Sequence, residues 1–309
     1  MAKKLSIVIP VFNESLCIDE LWARVSGIAN RLTYEIEIIV VDDGSTDTSF
    51  AQISAIAQAD RRLKIIRFSR NFGHQLAITA GMDLATGDAV ILIDADLQDP
   101  PELIPEMLAQ FEQGADVVYA VRRRREGETG FKKWSAALFY KLMRRLSPIP
   151  IPLDTGDFRL MSRRVVDALN TMREKDRFVR GMVSWVGFDQ RPVYFDRDPR
   201  WAGETKYPLR KMIKFALNGL TSFSTVPLRW ATWLGFAFAV VAGFYSVIVV
   251  GLRLTGHTFP GYASLMIAIL LLGGIQLMTV GIVGDYVGRL YMESKRRPLY
   301  VIRDRVGFE

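Results

Sequence analysis

Residues 89–102, Ala89-Val-Ile-Leu-Ile-Asp-Ala-Asp-Leu-Gln-Asp-Pro-Pro-Glu102, run from five apolar residues into two alternating carboxylates and then a proline pair. A short apolar run bounded by turn residues is the pattern of a fully buried strand, and proline suits the first turn of a following helix. Four similar runs lie along the chain: Leu5-Ser-Ile-Val-Ile-Pro-Val11, Ile36-Glu-Ile-Ile-Val-Val41, Leu63-Lys-Ile-Ile-Arg-Phe68 and Asp116-Val-Val-Tyr-Ala-Val121. Helical patterns, such as Ser15 to Leu32, separate them. Strands alternating with helices of this length predict βαβ crossovers and an α/β fold with a mostly parallel sheet covered on both faces. Ligands of such sheets bind outside the carboxyl ends of the strands. Those ends carry Asn13-Glu14, Asp42-Asp43, Asp94-Ala95-Asp96 and the residues from Arg122 onward.

The 309 residues include 40 Lys+Arg against 33 Asp+Glu, a formal charge of +7, and half of them are hydrophobic. That hydrophobic fraction excludes a disordered chain, and Cys17 standing alone excludes a disulfide scaffold. The apolar residues are unevenly spread: no charge occurs from Trp230 to Leu252 or from Thr258 to Gly284. Each run exceeds the ~20 residues that cross a ~30 Å hydrocarbon core, so two transmembrane helices are predicted, at about 230–252 and 262–284. The start of the chain, broken by Pro10 and made acidic by Glu14, does not have the pattern of a signal peptide. Arg229 precedes the first span and Arg289, Lys295, Arg296 and Arg297 follow the second, whereas the short loop between holds only Arg253 and His257. The positive-inside rule then puts the N-terminal part and both termini on the cytoplasmic side, and an inner-membrane location is expected.

The predicted layout is a domain over 1–207, a juxtamembrane amphipathic helix over 208–225, the hairpin over 226–290 and a C-terminal tail over 291–309. After Arg122-Arg-Arg-Arg125-Glu-Gly-Glu-Thr-Gly130, a stretch over about 131–146 carries Phe131, Trp134, Leu138, Leu142 and Leu146 along one helical face, with Lys132, Lys133, Lys141, Arg144 and Arg145 at other positions. A basic amphipathic helix of this kind lies in the headgroup layer, each cation adding about 1 kcal/mol near an anionic leaflet. Gly284 and Gly288, with Gln276 at depth, suit either contact within the hairpin or a homo-oligomer through the membrane helices.

Asp94 and Asp96, with Gln98 beyond, can reach one hard cation, since Mg²⁺ typically takes one or two carboxylates plus substrate phosphate oxygens. A turn whose aspartates merely cap backbone groups would account for a lone Asp-x-Asp. Here Asp42-Asp43 ends another strand of the same sheet, and so many acids together favour a metal-diphosphate site. No Gly-x-Gly-x-x-Gly follows the first strand and no Walker sequence occurs, which disfavours dehydrogenases and P-loop NTPases.

Ile7-Val-Ile-Pro-Val-Phe-Asn-Glu14, Val40-Val-Asp-Asp-Gly-Ser-Thr-Asp47, Arg70-Asn-Phe-Gly-His-Gln75 with Ala80-Gly-Met-Asp-Leu-Ala-Thr-Gly-Asp88, and Ile93-Asp-Ala-Asp-Leu-Gln-Asp-Pro-Pro-Glu102 together resemble family 2 glycosyltransferases of GT-A fold. More narrowly they are similar to the polyprenyl-phosphate glycosyltransferases, the dolichol-phosphate mannose synthases and bactoprenol glucosyltransferases. The resemblance covers about residues 5 to 210, and the paired C-terminal spans match the bacterial subgroup. It implies transfer of a hexose, glucose from UDP-glucose first, to undecaprenyl phosphate with a divalent cation, Mg²⁺ or Mn²⁺. GDP-mannose, UDP-N-acetylglucosamine and an aminoarabinose donor remain open. By position, Pro10, Val11, Asn13, Glu14 and Asp43 would shape the nucleoside pocket, and Asp94, Ala95 and Asp96 would hold the ribose-diphosphate side and the metal, with Gln98 a further ligand. Asp157, in Asp154-Thr-Gly-Asp157-Phe-Arg159, stands where the family has its catalytic acid; a helix cap or an Arg159 partner is the alternative.

A phosphate monoester is mostly dianionic at pH 7 and needs little help from a base, so Asp157 is expected mainly to orient the phosphate or to stabilise charge at the sugar. Binding that dianion beside acids requires cations. Arg122, Lys132 or Lys133, Arg200 and Lys206, with Tyr207 beside it, are the candidates, since Arg forks onto phosphate and Lys supplies a point charge. Processive polysaccharide synthases carry Gln-x-x-Arg-Trp, but here Arg197 precedes Arg200-Trp201 and two spans make no channel. A membrane scaffold without activity would not need every acid kept.

Overall fold

The computed structural model describes residues 3–123, 155–196, 226–255 and 261–308. The expected helices over 131–146 and 208–225, and the candidates Lys132, Lys133, Arg200, Lys206 and Tyr207, lie outside the described residues. The described part forms two compact units: 3–123, 155–196 and 298–308 in one, 226–255 and 261–297 in the other.

The first unit is built on an eight-stranded sheet in the order β7-β5-β6-β4-β1-β2-β3-β8. Its strands are β1 (Lys4–Val11), β2 (Glu35–Asp42), β3 (Leu63–Phe68), β4 (Ala89–Leu92), β5 (Val117–Arg122), β6 (Thr155–Ser162), β7 (Gln190–Phe195) and β8 (Ile302–Val306). The helices are α1 (Ile18–Ala29), α2 (Ser49–Ala59), α3 (His74–Leu84), α4 (Ile104–Glu112), α5 (Arg163–Thr171) and α6 (Val179–Trp185). All five predicted strands are present, and β1–β2, β2–β3, β1–β4 and β5–β7 are parallel as expected. The sheet is nonetheless mixed, because β6 runs antiparallel between β4 and β5, and β8 antiparallel against β3. The C-terminal residues read as a tail therefore include an edge strand. Arg303, Asp304 and Arg305 put charge on it, a device that discourages further strand pairing.

The central strands are dry: Ile7, Val8, Ile38, Ile39, Ile65, Ile66, Val90 and Ile91 are all fully buried. Gly81 lets α3 lie directly on β1, since a Cβ there would sit 2.1 Å from Val8 Cγ1. The chain goes outward from β1 through β2 to β3 and then returns to pair β4 on the other side of β1. That reversal is a topological switch point, where open α/β sheets leave a crevice. Pro10 helps to open it. Ile93 donates its N–H to the Val8 carbonyl at 3.1 Å. The next rung of a parallel ladder would need an N–H from residue 10, and proline has none.

At the opposite end of these strands, buried Glu37 ties four segments together. It accepts from Ser6 Oγ at 2.6 Å, Lys64 Nζ at 2.7 Å and the Thr86 N–H at 3.0 Å, with Lys4 Nζ 3.8 Å away.

The second unit is the pair α7 (Val226–Leu254) and α8 (Tyr262–Ser294), which pack against one another. Both are long and apolar enough to cross a membrane, over Gly235–Leu252 at mean hydropathy 2.2 and Leu271–Ser294 at 1.3. Their large apolar side chains, Trp233, Phe236, Phe244 and Leu277 among them, are exposed within the chain. The second helix runs ten residues beyond the predicted end at 284. Among the described residues nothing lies within 4 Å of a Cβ built on Gly284 or Gly288.

Burial works against ionisation of Glu37, but the bonds from Lys64, Ser6 and Thr86 outweigh it and lower its pKa from 4.5 to about 2. A carboxylate held below its ordinary value stabilises the fold fully above that value, and the contribution is lost as pH falls through about 2. The melting temperature of the full chain in detergent should fall as pH drops below about 4.5, and Glu37→Gln should flatten that slope while lowering Tm at pH 7. A pH profile identical to wild type in Glu37→Gln would remove Glu37 from this role.

Candidate active site

The site forms where the carboxyl ends of β1, β2 and β4 meet the start of β6. Register explains the meeting. The pairing of β4 with β6 ends at Leu92 opposite Arg159. Two residues further along each strand, on the same face, stand Asp94 and Asp157. His74, the first residue of α3, completes the group, and ligand atoms of His74, Asp94 and Asp157 all lie within 4.8 Å of one another.

Asp157 is 2% exposed, and its carboxylate meets four donors, one at Oδ1 and three at Oδ2. Arg180 on α6 donates from Nε to Oδ1 at 2.8 Å and from Nη2 to Oδ2 at 3.2 Å. His74 Nε2 meets Oδ2 at 3.1 Å, and Gln75 Nε2 donates to it at 3.3 Å. Gln75 also accepts the Val179 N–H at 2.8 Å, tying α3 to the start of α6. Burial alone would raise the Asp157 pKa, but the His74 bond and the Arg180 charge reverse this and hold it far below the ordinary range. His74 responds in the opposite sense. Burial resists its charging, yet the bond to Asp157 and the charges of Asp94 and Asp157 raise its pKa to about 9, so it carries a proton at pH 7. Arg159 is not the partner of the Asp157 carboxylate, because its guanidinium donates to the carbonyls of Gly156 at 2.9 Å and Asp157 at 3.2 Å.

The neighbouring acids are less satisfied. Burial and then repulsion from Asp157, Asp99 and Asp96 raise the Asp94 pKa to about 7, against the favourable His74 charge. Its Oδ1 is buried and accepts no hydrogen bond from the described residues. A buried carboxylate oxygen without a hydrogen bond, with His74 Nε2 3.5 Å away and three other acids around it, fits a divalent cation. Asp96 is one turn further on, its Oδ1 accepting the Gln98 N–H at 3.2 Å. Leu97 between them has φ 58°, a left-handed conformation that a side chain adopts at a cost of about 1 kcal/mol, and its burial at 2% holds it there. Arg122 closes β5 and lies beside this turn, Nη2 donating to buried Asp99 at 3.4 Å while Nε is left without a partner among the described residues.

The residues expected at the nucleoside pocket occupy the adjoining ends of β1 and β2. Val11 is buried and its carbonyl accepts the Asp43 N–H at 2.9 Å. Asn13 has φ 55°, and its side-chain oxygen accepts the Thr46 N–H at 2.8 Å. The Glu14 N–H donates to Ser49 Oγ at 3.0 Å. Asp43 accepts from the N–H groups of Phe72 at 2.6 Å and Gly73 at 2.9 Å, while burial first and then Asp42 raise its pKa against those bonds. The sequence reading missed His74, Gln75 and Arg180 as site residues. His74 and Gln75 stood in a quoted motif, and His74 is one of only two histidines in the chain; nothing local distinguishes Arg180.

Residues 6–169 match the family described as Glycosyl transferase family 2. The chain belongs to this family. Its fold is accordingly the GT-A fold, and it is a glycosyltransferase. It is 50% identical to "Uncharacterized glycosyltransferase YkcC" of Bacillus subtilis (strain 168), over 98% of this chain and 94% of that one. It is 43% identical to the "Prophage bactoprenol glucosyl transferase homolog" of Escherichia coli (strain K12), over 97% and 98% of the two chains. It is 42% identical, with the same coverage, to the "Bactoprenol glucosyl transferase" of Shigella phage SfV.

Because Arg180 and Asp157 act as one unit, Arg180→Ala and Asp157→Asn should each lower kcat by about 100-fold, and the double variant should lose little more. Steady-state kinetics on the two single variants and the double variant check this; additive losses would separate the two roles.

Proposed function

We infer that this family 2 glycosyltransferase moves glucose from UDP-glucose to a membrane polyprenyl phosphate, undecaprenyl phosphate, with inversion at the anomeric carbon. The observation that carries the reading is the cluster of acids at the strand ends, Asp94 beside Asp157 and His74, with the Arg122 cation held next to them through Asp99. Near-complete alignment with bactoprenol glucosyl transferases supports the donor sugar and the acceptor.

Asp94 and Asp96, with Gln98, would hold a divalent cation, Mg²⁺ or Mn²⁺. When bound it neutralises the diphosphate and stabilises the charge on the departing UDP. Pro10, Val11, Asn13, Glu14 and Asp43 would frame the uracil and ribose. The acceptor phosphate oxygen forms a bond to the anomeric carbon as the bond from that carbon to the UDP oxygen breaks, and the electron pair leaves with UDP. No proton has to be removed, because the acceptor is already mostly dianionic at neutral pH.

Asp157 suits this chemistry as a fixed negative charge. Four donor contacts and a depressed pKa make it a poor proton acceptor. It can offset positive charge that builds on the sugar ring, and it holds His74 and Arg180 in place. Arg122 supplies a cation for the acceptor phosphate, and Lys132, Arg200, Lys206 and Tyr207 are proposed to add to it. The two apolar helices would keep the enzyme at the membrane, with the catalytic unit and both termini on the cytoplasmic side.

Purified membranes given a panel of nucleotide sugars and C55 polyprenyl phosphate should yield the glucosyl lipid, identified by mass spectrometry, from UDP-glucose. Product from GDP-mannose or UDP-N-acetylglucosamine instead would overturn the donor assignment. EDTA should abolish transfer and Mg²⁺ or Mn²⁺ restore it, while Asp96→Asn should not be restored. Arg122→Ala should raise the acceptor KM about ten-fold or more while UDP binding stays near wild type, since a charge-assisted contact to phosphate is lost.

A further inference from the structure

The chain beyond α8 takes no part in the chemistry described above, yet it is bound closely to the donor side of the site. Tyr300 stacks on Phe68 with ring centroids 5.1 Å apart and planes 17° from parallel. Phe68 in turn meets Phe72 edge-on at 5.5 Å and 82°. The Tyr300 hydroxyl donates to Asp83 Oδ2 at 2.7 Å, and Arg173 Nη1 holds the same carboxylate oxygen at 2.8 Å. On the main chain, Ser69 donates to the Val301 carbonyl at 3.0 Å, and Ile302 pairs with Phe68.

Phe68 ends β3, and Asp83 lies near the end of α3. Tyr300 therefore grips the elements on both sides of the Ser69–Gly73 loop. The inner side of that loop faces Asp43, whose carboxylate takes the Phe72 and Gly73 N–H groups. There is no slack between them: a Cβ on Gly44, which has φ +72°, would sit 2.6 Å from the Arg70 carbonyl carbon. The loop also leads into His74 and Gln75, which hold Asp157.

We propose that Tyr300 is a positioning residue for the donor: by clamping Phe68 and Asp83 it sets the Ser69–Gly73 loop, and through the loop it sets the Asp43 carboxylate in the nucleoside pocket. The proposal rests on the assignment of Asp43 to that pocket. Apparent donor affinity scales with the fraction of molecules whose loop is in place, so a variant with about one tenth of them ordered binds about ten-fold more weakly. The acceptor side, built on β5 and beyond, does not depend on this clamp.

The test uses the full chain in detergent micelles. UDP binding is measured by calorimetry, and KM is measured separately for UDP-glucose and polyprenyl phosphate. Tyr300→Ala should weaken UDP binding and raise the UDP-glucose KM about ten-fold, with the acceptor KM within about two-fold of wild type. Tyr300→Phe keeps the ring stack and should recover most of the loss. Wild-type UDP affinity in Tyr300→Ala, with only a lower Tm, would reduce the contact to local packing and overturn the proposal. Asp43→Ala is the control. Unchanged UDP binding there removes Asp43 from the pocket and the proposal with it, whereas weakened binding in Asp43→Ala but not in Tyr300→Ala refutes the clamp alone. Should Tyr300→Ala fail to fold, Asp83→Asn serves, with a two- to three-fold higher donor KM expected for a weakened hydrogen bond and no change counting against the clamp.

Discussion

An ionised carboxylate at 2% exposure is sustainable only where the protein replaces the water it has lost, and at Asp157 three side chains do so. Arg180 comes from α6, His74 and Gln75 from the start of α3, and Asp157 itself from a strand inserted antiparallel between β4 and β5. Satisfying this one charge thus fixes where two helices and a strand must converge. It also fixes the protonation of its neighbours. The bond to Asp157 helps to keep His74 charged, while burial first and then the charge of Asp157 push Asp94 toward the neutral form, which a cation on Asp94 would relieve.

The crevice above this group owes its existence to backbone economy. Pro10 offers no N–H to continue the β1–β4 ladder, Asn13 and Leu97 take left-handed conformations, and acids stand at the strand ends. Charge is then sorted along the sheet. Acids stand at the ends of β1, β2 and β4, while Arg122 stands at the end of β5 and the arginine run continues from it. The donor diphosphate and the acceptor phosphate carry the same sign of charge, and in the proposed function this sorting would give each its own counter-charge, a cation held by the acids for one and Arg122 for the other.

The sequence displayed the parts of the fold that are apolar and continuous. β1 to β5 are rich in Val and Ile, β2 and β4 run straight into aspartates, and the rule that ligands bind at the carboxyl ends of such strands pointed to where the acids collect. β6 escaped because Thr155-Gly-Asp-Phe-Arg-Leu-Met-Ser162 mixes Asp157 and Arg159 into the strand, and those polar residues face the site. β7 carries Pro192, which suits an edge strand, and β8 has three charges in five residues. Without β6 and its direction, nothing put Asp157 across from Asp94 or explained why His74 and Arg180 matter. These depend on register and on helices arriving from separate parts of the chain, which no local pattern encodes.

The pairing of β8 with β3 also constrains the hairpin. A strand that follows α8 can join the sheet that begins before α7 only if the chain ends on the side where it started. Any membrane crossing by α7 therefore has to be matched by one crossing of α8, so the even number follows from backbone hydrogen bonds such as Ser69 to Val301 and not from flanking charge alone. The positive-inside reading and the sheet register are independent of each other, one resting on Lys and Arg in the loops, the other on strand pairing. In the proposed topology, charge reversal in the flanks would have to break β8 away from β3 before it could invert one helix, so the edge strand would oppose an inversion that the charges alone would permit.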